Sequence, residues 1–342
     1  MDNLFLQILN MSITSSYVIL FVLAVRLLLK KAPKCYSYAL WSVVLFRLCC
    51  PFSFNSIFAL LPVTGQAVPP NIIYAENPQI ASGVSIIDNA INAVLPAATP
   101  QTSINPMQIW LAIGTFIWLT VAILMVLYSF FTMLHLAYKL RSAKHISSNL
   151  YEMKSLPTAF VFGFIHPKIY LPTGLTETEK NYIIKHEETH IKRFDHLIKP
   201  FAFFVLCVHW FNPLVWVSFF MSSKDMELSC DESVIKMLGN GIKQDYSSSL
   251  LALSTGKRIV NACPLTFGEN DTKTRIKNVL NYKKPALWVA ILSIIIVFVV
   301  SIGLLVNPVQ KAPPQTLTDE KMSETEISTL ADNLMREAQD VF

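Results

Sequence analysis

Long runs of apolar residues with few charges dominate the chain and predict helices that cross a membrane. A helix needs about 20 predominantly apolar residues to span a hydrocarbon core of about 30 Å. Four runs reach or nearly reach that length: residues 4–29, 38–52, 107–136 and 286–306. The pattern therefore predicts a mainly α membrane protein with about four transmembrane helices.

A fifth apolar run, residues 200–222, contains a break that changes its interpretation. As one straight helix it would be about 30 Å long, because each residue adds about 1.5 Å. Asn212 and Pro213 stand in its middle, and proline has no N–H to donate inside a helix. The sequence therefore predicts two shorter helices that dip into the membrane as a hairpin and return.

Composition supports a membrane protein, and charge predicts its orientation. The chain has 342 residues, of which 53% are hydrophobic and 15% charged. Basic residues cluster after the first and third runs and before the last, and such clusters mark the cytoplasmic side. The extracellular loop 53–106 contains no lysine or arginine. We therefore expect the N-terminus and the C-terminal tail outside, anionic lipid contact, and no direct nucleic-acid binding.

The segment from His186 to His190 reads His-Glu-Glu-Thr-His, which is the HExxH pattern. Thr176 and Glu179 precede it with the signature of a helix start. Two imidazoles four residues apart on a helix share one face and can bind one metal ion. Glu187 then stands where this motif places the general base that takes a proton from water. The motif predicts a zinc metallopeptidase.

A tetrahedral catalytic zinc needs a third protein ligand from elsewhere in the chain. Glu227 and Asp231 lie one helical turn apart in a downstream acidic segment. We predict Glu227 as the third ligand and Asp231 as the acceptor of the second ring N–H of a ligand histidine. Asp225 and Glu232 remain the competing carboxylates.

Four further residues have separate interpretations. His209, in the apolar hairpin, is expected to be a helix-packing histidine and not a ligand. Asp195 is expected to hydrogen-bond within the site, whereas the neighbouring His196 has no role that we can argue. Arg47, in the second apolar run, is explained by snorkelling, by pairing with a buried carboxylate, or by a catalytic role.

Beyond HExxH, several segments resemble the integral-membrane zinc peptidases of the BlaR/MecR antirepressor type. The similar segments are residues 39–51, 160–172, 209–213, 227–231 and 275–284, and the resemblance covers residues 1–306. The resemblance implies His186, His190 and Glu227 as zinc ligands, Glu187 as general base and Asp231 as their supporting carboxylate. It also implies a strand pair whose edge, at Phe162, Gly163 and Phe164, binds the substrate peptide.

The resemblance carries expectations about domains. It implies a membrane region, 1–137, then a gluzincin-like α+β zinc-protease domain, 138–284, at the cytoplasmic membrane face, with the hairpin 200–222. The last transmembrane helix, 285–306, and a short acidic extracellular tail, 307–342, follow. The tail's last 20 residues, 323–342, are expected to form an amphipathic helix.

The same resemblance implies a cytoplasmic protein substrate, for which a winged-helix repressor of the BlaI/MecI type is the candidate. Self-cleavage is expected around residues 263–270. Sensor members of the family carry a large penicillin-binding domain after the last helix, and residues 307–342 are too short for one, so β-lactam sensing is not expected. The oligomeric state and the inducing signal are left open.

Two alternative readings remain. One is a housekeeping membrane metalloprotease of the HtpX or CAAX-processing type. Two features favour the antirepressor family over this alternative: Cys230 before Asp231, and the His-Trp-Phe-Asn-Pro turn. The other is a non-catalytic signalling scaffold that holds a structural zinc. Glu187 argues against the scaffold, because a structural zinc site needs no carboxylate beside a water and usually has four protein ligands.

Overall fold

The computed structural model describes residues 2–51, 54–55, 60, 67–69, 72, 75, 78–96, 106–154, 156–255 and 272–307. Within them the chain is mainly helical, with one small mixed sheet and one short strand pair. The helices are α1 (Asp2–Leu28), α2 (Lys34–Cys49), α3 (Ser85–Asn92), α4 (Pro106–Leu140), α5 (Glu177–Lys192), α6 (Asp195–Val208), α7 (Pro213–Leu238), α8 (Lys243–Thr255), α9 (Thr272–Asn281) and α10 (Leu287–Leu305). The strands are β1 (Phe54–Asn55), β2 (Lys144–Ser147), β3 (Leu150–Met153), β4 (Phe160–Phe162), β5 (Lys168–Pro172) and β6 (Val306–Asn307).

Three helices of the described part are long and apolar enough to cross a membrane. They are α1 with the 3-10 turn that follows it, α4 and α10. Helix α2 has 16 residues, which is about 24 Å at 1.5 Å per residue, so the fourth predicted crossing stays a prediction. The long helices α4 and α10 expose many apolar side chains, among them Phe116 and Phe298. A bilayer is the environment that such a surface requires.

One hydrophobic core joins the membrane helices to the helices that follow the sheet. Its fully buried members come from α1, α2, α6 and α10, and Val215 and Phe219 add the first turns of α7. Burying a side chain of this size stabilises the fold by about 1.5–3 kcal/mol. The core therefore fixes α7 against α2. The fully buried members are Val18, Ile19, Val22, Leu40, Leu206, Cys207 and Leu304.

The break predicted within the fifth apolar run is confirmed. Helix α6 ends at Val208 and α7 begins at Pro213, so the chain reverses between them. The side chain of Asn212 accepts a hydrogen bond from the N–H of Leu214 at 2.9 Å and thereby caps α7. Its amide nitrogen donates to the hydroxyl of Ser12 at 2.8 Å, which anchors the turn to α1. How deeply the hairpin enters the membrane stays a prediction.

The partners that the structure gives for Arg47 are carbonyl and amide oxygens, and not the buried carboxylate that was one of its three explanations. Arg47 is buried in α2, and its Nε donates to the carbonyl of Leu304 at 2.8 Å. One terminal nitrogen donates to the carbonyl of Val306 and to the side-chain oxygen of Asn307, at 3.1 and 2.9 Å. The last carbonyls of a helix have no partner inside it, and their partial negative charge favours a cation. Arg47 therefore closes the C-terminal end of α10.

In the part of the segment 53–106 that the structure describes, residues Ser85–Asn92 form helix α3. Asp88 accepts hydrogen bonds from the backbone and hydroxyl of Ser82, at 2.7 and 2.5 Å. Asn92 pairs with both backbone groups of Ile80. These polar side chains tie α3 to the segment before it. The predicted cleavage segment, 263–270, and the predicted tail helix, 323–342, lie outside the described residues.

The small sheet lies beside the helix that carries the HExxH motif. Its strand order is β2-β3-β5-β4, with β3 and β5 parallel and the other pairs antiparallel. Ile169 and Leu171 of β5 pack against Ile183 of α5 in one buried cluster. This contact orients α5, and it leaves β4 as an edge strand of the sheet.

Candidate metal centre

Helix α5 begins with the predicted cap. The hydroxyl of Thr176 accepts a hydrogen bond from the N–H of Glu179, and the carboxylate of Glu179 accepts one from the N–H of Thr176 at 2.8 Å. This reciprocal capping box satisfies two of the N–H groups that a helix start leaves unpaired. The helix then continues through the motif and places His186 and His190 on one buried face.

The nearest nitrogens of the two histidines converge with Glu227 of α7 on one point. The Nε2 atoms of His186 and His190 lie 3.1 Å apart. Oxygens of Glu227 lie 3.3 Å from Nε2 of His186 and 3.7 Å from Nε2 of His190. A tetrahedral zinc with bonds of about 2.0–2.2 Å separates its ligand atoms by about 3.4 Å. The three residues therefore fit such an ion by distance and by donor type.

The far nitrogen of His186 is held by two groups. Its Nδ1 lies 3.0 Å from the hydroxyl oxygen of Tyr246 and 3.3 Å from Oδ1 of Asp231. The Tyr246 hydroxyl donates to the same carboxylate oxygen at 2.7 Å. This network assigns the proton to Nδ1, so the Nε2 lone pair, which a terminal nitrogen of Arg275 approaches at 3.3 Å, is the one that would bind a metal. Asp231 thus supports His186, with Tyr246 beside it.

His190 is held by a different carboxylate. Its Nδ1 donates to Oδ2 of Asp195 at 2.9 Å, and the other Asp195 oxygen accepts from the hydroxyl of Tyr38 at 2.9 Å. Asp195 follows Phe194, whose φ of 59° is in the left-handed region. A bulky residue occupies this region only at some cost in strain. Helix α6 begins directly after this turn, at Asp195. The turn thereby brings the Asp195 carboxylate against His190 of the motif.

Arg275 of α9 pairs with the carboxylates of α7. Its Nε and one terminal nitrogen donate to the two oxygens of Asp231 at 2.8 and 2.7 Å. Its other terminal nitrogen lies 3.2 Å from Glu227. Burial alone would raise the pKa of Asp231, but the charge and hydrogen bonds of Arg275 outweigh burial and lower that pKa to about 2. The same opposition holds the pKa of Glu227 well below its usual range.

Glu187 differs from these carboxylates in its surroundings. It is buried beside the histidines, and none of the hydrogen bonds or ion pairs among the described residues involves its carboxylate. A general base requires an oxygen that is free to accept a proton. Glu187 is therefore the carboxylate of the motif that is available for chemistry.

Cys230 is also close to the centre, in a group with His190 and Asp195. Its sulfur lies 3.4 Å from Nδ1 of His190. Burial raises the pKa of its thiol well above the usual range. Nδ1 of His190 donates to Asp195, so in this arrangement the group supports His190.

The competing carboxylates have other partners. Asp225 accepts two hydrogen bonds from Arg26 at 2.6 and 2.7 Å and one from Trp41 at 2.9 Å. Glu232 accepts the backbone N–H of Lys34 at 2.8 Å. Both therefore tie α7 to the first two helices. The structure brings neither into the group formed by the two histidines and Glu227.

The other histidines that the sequence raised also lie outside this group. His209 is buried, and its Nε2 donates to the carbonyl of Leu48 at 3.0 Å. It therefore packs the hairpin against the end of α2, as its position in an apolar run suggests. His196 contacts the ring of Phe194 and does not reach the ligand group.

The predicted substrate edge coincides with β4 and the turn after it. Phe162 ends β4, which pairs antiparallel with β5 on one side only. Gly163 has φ 117°, and a Cβ there would lie 2.7 Å from the carbonyl oxygen of His166. This position therefore requires glycine. Phe164 in the turn is 50% exposed.

Tyr38, Tyr246 and Arg275 are parts of the centre that the sequence analysis missed. They lie on α2, α8 and α9, far from the motif along the chain. Tyrosine in an ordinary helical segment gives no signal of such a role. Arg275 was noted in a basic cluster that assigned orientation and at the start of the similar segment 275–284, but neither observation gave it a partner.

Comparison with known proteins identifies the family. A model described as BlaR1 peptidase M56 matches residues 6–279. Regulatory protein BlaR1 of Bacillus licheniformis is 31% identical over 135 residues, 37% of this chain and 22% of the relative. Methicillin resistance mecR1 protein of Staphylococcus aureus is 33% identical over 147 residues, 41% of this chain and 25% of the relative. Each alignment thus spans about a quarter of the relative's length. The chain belongs to the BlaR1 peptidase M56 family.

Proposed function

We propose that this chain is a zinc endopeptidase of the cell membrane that cleaves a cytoplasmic protein. The supporting observation is the convergence of His186, His190 and Glu227, at 3.1 to 3.7 Å, beside the unpaired carboxylate of Glu187. We assign the first three as zinc ligands and Glu187 as the general base. Asp231 holds the tautomer of His186 that a metal requires.

Zinc, when bound, polarises the scissile carbonyl and activates water at neutral pH. Glu187 accepts the proton of the attacking water and returns it to the leaving amine. His186 and His190 keep their Nδ1 protons throughout the reaction. Tyr246 and Asp231 hold the Nδ1 side of His186, and Asp195 accepts the hydrogen bond from Nδ1 of His190. Since these supports are already in place, the reaction requires little rearrangement of the protein.

The substrate peptide would bind along β4. The free edge of β4 presents backbone groups that can pair with an extended peptide, which is the usual mode of strand addition. Phe162, Gly163 and Phe164 form the end of this edge. A glycine there lets a second backbone approach closely.

The orientation of the membrane helices supports a cytoplasmic substrate. We place the N-terminus and the tail 307–342 outside the bacterial cell membrane, and the protease region 138–284 inside, because basic residues flank that region. A winged-helix repressor of the BlaI/MecI type is the substrate we propose. The relatives, a regulatory protein and resistance proteins by name, favour a signalling role over housekeeping proteolysis.

The test compares the wild-type chain with Glu187→Gln and Glu188→Gln, tagged at both ends. Glu188 is the matched control, because it lies in the same motif but pairs with Lys185 at 3.0 Å on a partly exposed face. Fragments of the chain and of coexpressed candidate repressors are followed by immunoblot and mass spectrometry. Zinc content is measured in parallel.

We expect fragments with the wild type and Glu188→Gln, and a loss of about 10²–10⁴-fold in their rate of formation with Glu187→Gln. Identical fragments from all three chains, with zinc still bound, would refute catalysis and favour the scaffold. Fragments of the chain without cleavage of any repressor would refute only the repressor as substrate.

A further inference from the structure

The positively charged guanidinium group of Arg275 lies against two carboxylates of α7 at the metal centre, those of Asp231 and Glu227. Asp231 is 0% exposed and Glu227 is 8% exposed, so neither can rely on water for its negative charge. A buried carboxylate that lacks a partner costs several kcal/mol. The guanidinium group meets Asp231 with two parallel hydrogen bonds and Glu227 with a third nitrogen. Its planar fork therefore sets their orientation as well as balancing their charge.

The neighbours of Arg275 show that this contact belongs to α9 and is not a chance surface pairing. Val279, one turn later, is fully buried in a cluster with Tyr182 of α5 and Tyr246 of α8. Asn278 donates to Glu232 of α7 at 3.2 Å. By contrast, Lys277 on the same helix is exposed. Helix α9 thus packs against the three helices of the centre and directs one of its cations inward.

Helix α9 is also the element that leads into the last membrane helix. It ends at Asn281, and α10 begins at Leu287. The linker between them has about five residues, so it spans at most about 18 Å when extended. Glu227 and Asp231 would lose their shared cation if α9 moved away.

We propose that Arg275 is a positioning residue of the metal centre. It acts through Asp231 and Glu227, which its hydrogen bonds and ion pair hold in place, and so it makes metal binding depend on the placement of α9. This inference rests on the proposed zinc site. Groups that support a metal ligand typically change metal affinity by 10–100-fold when they are removed.

The test measures zinc affinity of the full chain in detergent by competition with a chelator of known affinity. The variants are Arg275→Gln, Arg275→Lys and the control Lys277→Gln, which removes one exposed charge from the same helix. A double variant, Arg275→Gln with Asp231→Asn, tests whether Arg275 acts through Asp231. The unfolding midpoint of each metal-free chain reports any purely structural effect.

We expect Arg275→Gln to bind zinc about 10–100-fold more weakly, Arg275→Lys to recover part of the loss, and Lys277→Gln to match the wild type. In the double variant, the loss should be smaller than the product of the two single losses, because the residues form one unit.

Unchanged or tighter zinc binding by Arg275→Gln would overturn the inference while leaving the zinc site intact. If Arg275→Gln does not fold, Arg275→Lys decides, because wild-type affinity in that variant would show that the fork is not needed. A wild-type chain without stoichiometric zinc would overturn the proposed function, and this inference with it.

Discussion

Two buried arginines flank the last membrane helix, and their partners are of different kinds. Arg47 meets backbone carbonyls and an amide side chain at the C-terminal end of α10. Arg275, on the helix that precedes α10, meets the carboxylates of α7. Carbonyls carry partial charges and carboxylates carry full ones. The first arginine therefore closes a helix end, and the second balances the charge of a reactive centre.

This difference separates stability from chemistry. Losing Arg47 would leave neutral groups without donors, which is a local cost. Breaking the contact between Arg275 and a carboxylate would leave a charged group without its counter-charge, which costs more free energy of unfolding. It would also disturb the proposed metal ligands, because Arg275 contacts Glu227 directly. Variants that break the contacts of the two arginines should therefore differ in how far they lower the free energy of unfolding. They should also differ in whether they change the affinity for zinc.

The largest effect on stability is expected for Asp231→Ala. It leaves Arg275 buried without its two-pronged partner, so the free energy of unfolding should fall by about 3–5 kcal/mol. Denaturant unfolding of the metal-free chain, followed by circular dichroism, measures this. The double variant with Arg275→Met should recover part of the loss, because replacing both ions by apolar groups is often tolerated. A loss under about 1 kcal/mol would mean that Glu227 alone suffices as partner.

Arg47→Met should have the next largest effect on stability. It leaves the carbonyls of Leu304 and Val306 without their donor, so the free energy of unfolding should fall by about 1–3 kcal/mol. Zinc affinity should not change, because α10 contributes no ligand. Unfolding and zinc titration of the same preparation measure both quantities. If zinc binding weakened as much as in Arg275→Gln, the contrast between the two arginines would be wrong.

Tyr246→Phe removes the hydroxyl shared by His186 and Asp231 and keeps the ring. Zinc affinity should fall by about tenfold, which is about 1.4 kcal/mol, with little change in the unfolding midpoint of the metal-free chain. Tyr182→Phe is the matched control, because its ring packs edge-on against Tyr246 at 6.1 Å. Chelator competition compares the two variants. An equal loss in both would mean that the hydroxyl shared by His186 and Asp231 has no specific role in zinc binding.

The smallest effect is expected for Thr176→Ala, far from both arginines. Loss of the capping box at the start of α5 should cost about 1 kcal/mol and increase hydrogen exchange in the first turn. Thr178→Ala, an exposed residue of the same turn, serves as control. Hydrogen exchange with mass spectrometry compares them, and equal protection in both variants would argue against the cap.

Local features of the fold were predictable because their causes lie within a few residues. The start of α5 at Glu177, the helix break at Asn212 and Pro213, and the three long apolar helices follow from capping, backbone chemistry and length. The spacing of Glu227 and Asp231 on one helix face was likewise readable. Asp231 and Asp195 were both expected to support the site, but which histidine each one holds was not readable, because it depends on how α6 and α7 pack against α5.

The sequence by itself determined that the proposed metal donors His186 and His190 lie on one helix face and that Glu227 and Asp231 lie on another, because a helix places residues four apart on one face. Only the tertiary structure decided that Asp195 supports His190 and that Asp231 and Tyr246 support His186. It alone placed Arg275 beside Glu227, 48 positions earlier in the chain. Such contacts form when helices bury their apolar faces together, and that packing depends on the whole core and not on any one segment.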